Sequence, residues 1–281
     1  MPRTVTRPRL LTSLLRPLPD FIIIGAMKSG TTTLHYQLRE HPQVRAPIRK
    51  EIHFFDRDFA RGPAWYRAHF PSAPLGRSWR TGEASPYYVC HPHVPARIAE
   101  LLPNIKLIVL FRNPVARAYS HYRQIQARGW EPLTFEEALE AEAERIGPEL
   151  ARMEADPAYY SETHRRYSYL QRGRYVEQLD RWLRFFRREQ LMIIATEELR
   201  AQPGRVHAEL QQFLGLAPHQ MDVSRDHKVA QYEPMNAGTR ERLTDYFAPY
   251  NHRLYELVGR DLGWDKVAAR DTRELCSPSR R

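Results

Sequence analysis

Three short runs of the chain are almost wholly apolar, and each is bounded by a turn signal. Residues 21–24 (Phe-Ile-Ile-Ile) lie between Asp20 and Gly25, "KLIVLF" (106–111) runs into Arg112-Asn113-Pro114, and "LMIIAT" covers 191–196. Apolar runs of this length without polar alternation predict strands covered on both faces. Between them the spacing becomes helical. Residues 31–40 predict a helix stopped by His41-Pro42, and Asn113-Pro114 opens another with proline in its first turn. Thr134 caps a Glu-rich surface helix over 134–145, and 204–216 form a helix ending at Gly215. In "YVEQLDRWLRFF", Val176, Leu179, Trp182, Leu183 and Phe186 fall on one core-facing stripe. Two further helices are expected around Pro249. Residues 42–95, rich in proline and aromatic side chains, predict loops and short helices over one face. Buried strands separated by helices imply an α/β fold: a single domain with a central parallel sheet flanked by helices. The domain is expected over 20–264, with tails at 1–19 and 265–281.

Composition narrows this modestly. The chain has 281 residues and a net charge of +10, from 43 Lys+Arg against 33 Asp+Glu. Such a balance suits an anionic ligand, but background arginine on solvated faces gives the same number, so charge alone selects no function. Cys90 and Cys276 lie too far apart in sequence to encode a disulfide framework or a zinc site. That usage fits a reducing compartment. The first twenty residues are basic, but their apolar run is broken by Arg16 and Pro17, a poor signal peptide and too short to span a bilayer. The expectation is a cytoplasmic protein without a stable membrane anchor.

The first strand leads into "GAMKSGTTTL" (25–34). A strand–turn–helix unit with Gly25, Gly30 and three threonines turns backbone N–H groups toward an anion at a helix N-terminus. Ser29, Thr31, Thr32 and Thr33 can add hydroxyl donors. An ATP-binding Walker loop would place lysine after the second glycine, whereas Lys28 precedes Gly30. No apolar strand ends in an acidic residue suited to Mg²⁺, so the group expected here is phosphate held by lysine and backbone, with no metal. After the second strand, Arg112 and Ser120 lie so that a guanidinium and a hydroxyl, two helical turns past Asn113, can meet one phosphate.

Together, "GAMKSGTTTL" and "KLIVLFRNPVARAYSHY" (106–122) resemble the 5′-phosphosulfate and 3′-phosphate motifs of sulfotransferases that use 3′-phosphoadenosine 5′-phosphosulfate (PAPS). The resemblance implies a P-loop, nucleotide-kinase-like sulfotransferase fold, PAPS as sulfate donor and adenosine 3′,5′-bisphosphate as product. "KEIHFFD" (50–56) resembles a segment of the Golgi heparan-sulfate sulfotransferases and their bacterial relatives. By that resemblance Glu51 is the base that deprotonates the acceptor, and His53 and Asp56 match further active-site positions. Lys28 can neutralise the oxygen bridging phosphate and sulfate. "GEASPYY" (82–88) resembles a cleft segment of the same branch, with Ala84 where the animal enzymes carry lysine and Ser85 in place of threonine. Glu83 and Tyr87 are the cleft residues it implies. Tyr175 falls near a tyrosine used at the cofactor, and Lys228 within "RDHKVAQYEPMN" (225–236) is the basic contact expected to cover the 3′-phosphate.

The expected reaction is in-line transfer to a hydroxyl, less readily an amine, of a small-molecule, glycan or lipid acceptor; nucleic acid is not an expected partner. Two other readings compete: a metal-dependent NTP phosphotransferase, and a non-catalytic nucleotide- or polyanion-binding protein on the same fold. Specificity is expected in loops at about 55–80 and 125–165. The mixed charge of "EEALEAEAER" argues against a uniformly basic groove there.

Overall fold

All three apolar runs are strands in the computed structural model, which describes residues 5–74, 76–222 and 233–264. They are β1 (Phe21–Gly25), β3 (Lys106–Phe111) and β4 (Leu191–Ala195). A further strand, β2 (Gly82–Ala84), comes from the proline- and aromatic-rich passage, where three residues are too few to show a period. The sheet is parallel throughout, in the order β2-β1-β3-β4. Phe21 pairs with Gly82 on one side and Lys106 on the other, and Val109 pairs with Ile193. Gly82 is required by packing: a Cβ there would sit 2.4 Å from the Phe21 ring.

In chain order the described helices are α1 (Arg7–Leu11), α2 (Thr31–Glu40), α3 (Gly62–Arg67), α4 (Val94–Leu101), α5 (Pro114–Gln126), α6 (Phe135–Glu140), α7 (Glu142–Ala155), α8 (Glu162–Tyr167), α9 (Tyr175–Leu183), α10 (Thr196–Ala201), α11 (Pro203–Leu214) and α12 (Ala237–Val258). Alternate strand residues feed two cores. Ile22, Ile24, Leu107 and Val109 meet α4, α9 and α12, while Phe21, Ile23, Ile108 and Leu110 meet α2, α10 and α11. With helices on both faces the three apolar runs have no solvent-facing side, which is why they lack alternation. The α9 stripe buries Val176, Leu179 and Trp182, and the Trp182 indole donates to the Val89 carbonyl at 3.0 Å. Leu183 is only partly buried, and Phe186 is buried just past the helix end.

Three expectations change. The helix over 134–145 keeps its Thr134 cap, reciprocated by Glu137, but breaks at Ala141 and resumes as α7. Much of 125–165 is thus helical rather than loop. The two helices expected around Pro249 are one, because α12 runs through the proline. Proline in a helix interior costs about 3 kcal/mol; burial of Phe247 and Leu254 on either side offsets it. The residues assigned to an N-terminal tail include α1, seated against α3, while Lys228 and residues 265–281 lie outside the described residues.

With β1 flanked by β2 and β3, the chain leaves the sheet in opposite directions on either side of β1. The crevice at the carboxyl ends of such strands is the usual ligand position in this topology. Here it collects the loop after Gly25, Ser85 after β2, and Arg112 after β3.

Candidate active site

The loop after β1 is fixed from several directions. A Cβ on Gly25 would fall 2.4 Å from Val89 Cγ1, so glycine alone fits. The Ala26 amide donates to Leu110 at 2.7 Å, and Thr196 Oγ1 donates to the Ser29 carbonyl at 2.8 Å. Gly30 precedes α2 at φ 86°, and no side chain caps that helix. Among the described residues, the N–H groups of Thr31, Thr32 and Thr33 therefore remain donors at a positive helix end. Thr31 is buried, Thr32 exposed and Thr33 between. Ser29 is fully buried, and its hydroxyl has no partner among the described residues.

Lys28 adopts φ 71° in this turn. Burial lowers its pKa, and the positive charges of Arg112 and Arg128 lower it further. Arg112 reaches back to the Lys28 carbonyl, Nη1 to oxygen 3.5 Å, tying the end of β3 to the loop. Asn113 caps α5 by accepting from Val115 and Ala116 at 3.0 and 3.2 Å, and Ser120 lies buried two turns along that helix. Tyr175 does not offer its hydroxyl to the crevice. It is buried, stacks on Phe111 and donates to the Arg112 carbonyl at 2.9 Å, so it bears on the site through Arg112. Among the described residues no cluster of three or more histidine, cysteine or carboxylate side chains is placed to hold a metal.

Glu51 and His53 form the second half. Glu51 Oε1 accepts from Lys50 Nζ at 2.8 Å, its Oε2 lies 3.4 Å from His53 Nε2, and His53 Nδ1 is 2.8 Å from Asp56 Oδ2. Burial opposes charge on Glu51, but the His53 hydrogen bond and the Lys50 ammonium bring its pKa down to about 2. Burial likewise opposes charge on His53; the hydrogen bonds to Asp56 and Glu51 overcome it and raise the pKa to about 9. At neutral pH the three form a carboxylate–imidazolium–carboxylate chain, with both ring nitrogens donating. Glu51 and His53 take φ of 59° and 58°. With Lys28 they are the non-glycine residues of the described chain at positive φ, a conformation that costs about 1–3 kcal/mol per residue and that clusters at functional sites.

Glu83 is not in the cleft, contrary to expectation. It is fully buried beneath Glu51–Asp56, because Tyr66, Ser85 and Tyr88 hydroxyls donate to it at 2.7, 2.8 and 3.1 Å. Burial raises its pKa, with those hydroxyls pulling the other way. The Ser85 and Tyr88 oxygens in turn accept the amides of His53 and Phe54, at 3.3 and 2.9 Å, so Glu83 shapes the backbone that presents His53. Glu83→Ala leaves three buried hydroxyls without their acceptor and is expected to cost about 3 kcal/mol in urea denaturation. A loss below about 1 kcal/mol would mean that the hydroxyls re-pair elsewhere.

A cleft of about 270 Å³ opens over Glu51 and His53, with Met27 and Tyr87 in its walls. Its lining also includes Arg128, Trp130, Glu162 and Arg165, which fall in the 125–165 stretch expected to set specificity but are not singled out there, and Arg166 and Arg172, which lie beyond it. The signal available was the arginine density of "THRRYSYLQRGR" (163–174). The glutamates of "EEALEAEAER" lie instead on α6 and α7, where Glu142 is buried and accepts from the Leu170 and Gln171 amides. They therefore say nothing about cleft charge. Ala84 is likewise fully buried in the sheet.

Comparison with known proteins agrees with this geometry. The sulfotransferase domain profile matches residues 18–253. Membrane-associated sulfotransferase kil1 of Dictyostelium discoideum is 31% identical over 88% of this chain and 66% of its own. Heparan sulfate glucosamine 3-O-sulfotransferase 6 of Homo sapiens is 32% identical over 89% and 74%. The crystal structure of a sulfotransferase from Alicyclobacillus acidocaldarius matches with a TM-score of 0.72 at 31% identity, over 88% of this chain and 99% of that one. The chain spans about two thirds of the kil1 protein's length. The expectation of a cytoplasmic location is corrected by these findings, since kil1 is membrane-associated. Among the described residues no helix is long and apolar enough to cross a membrane.

Proposed function

The chain belongs to the sulfotransferase family, and from that premise we propose that it moves a sulfuryl group from PAPS to a hydroxyl of a glycan, glycolipid or secondary-metabolite acceptor. One observation carries the donor assignment. Lys28, under the influence of two further cations, sits beside an uncapped helix N-terminus and the orphan Ser29 hydroxyl. So much positive potential around one turn suits a group with several negative charges. The amides of Thr31–Thr33 and the Ser29 hydroxyl would hold the 5′-phosphosulfate, and Arg112 with Ser120 the 3′-phosphate.

Lys28 would neutralise charge developing on the bridging oxygen, and the loop would align the sulfuryl group with the acceptor. Glu51 would take the acceptor's proton. A carboxylate with pKa near 2 is a weak base in the resting site. The acceptor oxygen loses its proton readily once its bond to sulfur has begun to form, so a late transfer needs no stronger base. His53, clamped by Asp56, holds Glu51 in place and keeps it ionised. Four arginines against Glu51 and Glu162 favour an acceptor that carries negative charge near the reacting hydroxyl.

The test is a two-donor assay over a panel of hydroxylated acceptors. Release of adenosine 3′,5′-bisphosphate and an acceptor gaining one sulfate are expected with PAPS in the presence of EDTA, and no turnover with ATP and Mg²⁺. The reverse pattern would establish a phosphotransferase. Tight PAPS binding with no acceptor-dependent consumption would establish a binding protein.

A further inference from the structure

Residues 5–19 are built inside out. Arg9 donates to the carbonyls of Ala68 and Phe70, both at 2.6 Å, and Arg16 to Phe70 at 2.8 Å. Arg67 returns a bond to the Arg16 carbonyl at 2.7 Å, and the Ala73 amide one to Leu15 at 3.0 Å. The guanidiniums thus face the protein while the leucines face water. Leu11 and Leu14 are each 87% exposed, Leu15 64% and Leu10 38%. Seven large apolar residues are exposed in the described chain, and four of them are these neighbours. Scattered exposed leucines are ordinary, but a contiguous group held outward by partly buried polar bonds is not.

The charge around the patch has one sign. Between Met1 and Pro19 the chain has Arg3, Arg7, Arg9 and Arg16 and no acidic residue. Among the described residues no carboxylate pairs with Arg7, Arg9 or Arg16, and the next acid, Asp20, is taken by Arg77 at 2.9 Å. A second copy of this chain fits poorly, because it would oppose like charges. Four leucines also cannot supply the roughly 800 Å² per partner that a stable dimer buries. Apolar side chains projecting from a basic segment suit the boundary between phosphate headgroups and acyl chains.

We propose that residues 7–16 are a docking surface for an anionic lipid membrane, with Leu10, Leu11, Leu14 and Leu15 entering the acyl boundary, the exposed Arg7 at phosphate level, and the positive charge of Arg9 and Arg16 behind them adding long-range attraction. The segment lies on the bilayer and does not cross it. It stands apart from the Lys28 and Glu51 machinery, so it tests independently of the catalytic reading.

The experiment is flotation of the full-length chain with vesicles of phosphatidylcholine alone or mixed with phosphatidylglycerol. Binding is expected to the mixed vesicles, weakened by added salt. Leu11→Glu/Leu14→Glu is expected to lower partitioning about 100-fold, and Leu11→Ala/Leu14→Ala to lower it less but in the same direction. Both pairs are at the surface, so thermal unfolding should match the parent. Equal binding to neutral vesicles, no binding to either, or unchanged partitioning of the Glu pair would overturn the proposal. So would a dimer in sedimentation velocity that the Glu pair converts to monomer, which would assign the leucines to a second copy.

Discussion

Lys28→Met is expected to lower kcat about a thousandfold while leaving the melting temperature equal to or above that of the parent. Removing a single pre-aligned donor of this kind from a developing oxyanion costs about 10²–10³ in rate. Loss of stability would ordinarily accompany loss of a partly buried side chain. Here the side chain is a desolvated ammonium whose charged form is opposed by burial, Arg112 and Arg128. Methionine keeps the length and removes that opposition, so the fold has nothing to lose. Initial rates with saturating donor, paired with calorimetry, separate the two effects. A variant that is destabilised yet active would show that Lys28 serves the fold, and the assignment of the loop would fail.

Glu51→Gln is expected to reduce kcat about a thousandfold with donor affinity unchanged, since the side chain is nearly isosteric and only the proton acceptor is lost. The pH behaviour adds a second readout. Glu51 is depressed from 4.5 to about 2, so its stabilising charge is complete above 4.5 and lost as pH falls toward 2. His53 is raised from 6.5 to about 9, so its contribution is complete below 6.5 and lost as pH rises through 9. The parent should therefore hold its activity between these limits and decline on the alkaline side near pH 9, where His53 deprotonates and loosens Glu51. Glu51→Gln should retain no such alkaline limb in its residual rate. Near-parental kcat for Glu51→Gln would move the role of base to another residue.

Much of this site is legible in the sequence because its parts are local. The loop at 25–34 and the Asn113 cap each fit within a few residues, so short-range spacing suffices; Glu51, His53 and Asp56 are marked only by the resemblance of "KEIHFFD", and the chain they form emerges from the fold. The three apolar strands are legible for the same reason. What escaped depends on distance. Strand β2 is defined by pairing with Phe21–Ile23 rather than by any period of its own. Glu83 looks like a cleft residue until Tyr66, from the separate helix α3, is seen to donate to it. The arginines of the cleft come from two stretches, 124–130 and 162–172, that only the fold brings over Glu51. Pro249 marks a boundary by local rule, and packing on both sides of it outweighs that rule.

The left-handed backbone at Lys28, Glu51 and His53 has a consequence for how this chain tolerates change. Glycine is the residue that such backbone prefers. A library sorted for folding alone would drift toward glycine at Lys28, whose charge the fold opposes, and would relax at Glu51 and His53 only as far as their pairing with Lys50 and Asp56 allows. A library sorted for turnover would hold lysine, glutamate and histidine against that drift. The divergence between the two selections would mark the reactive centre of this protein, and of relatives built on the same backbone, without any ligand or acceptor in hand.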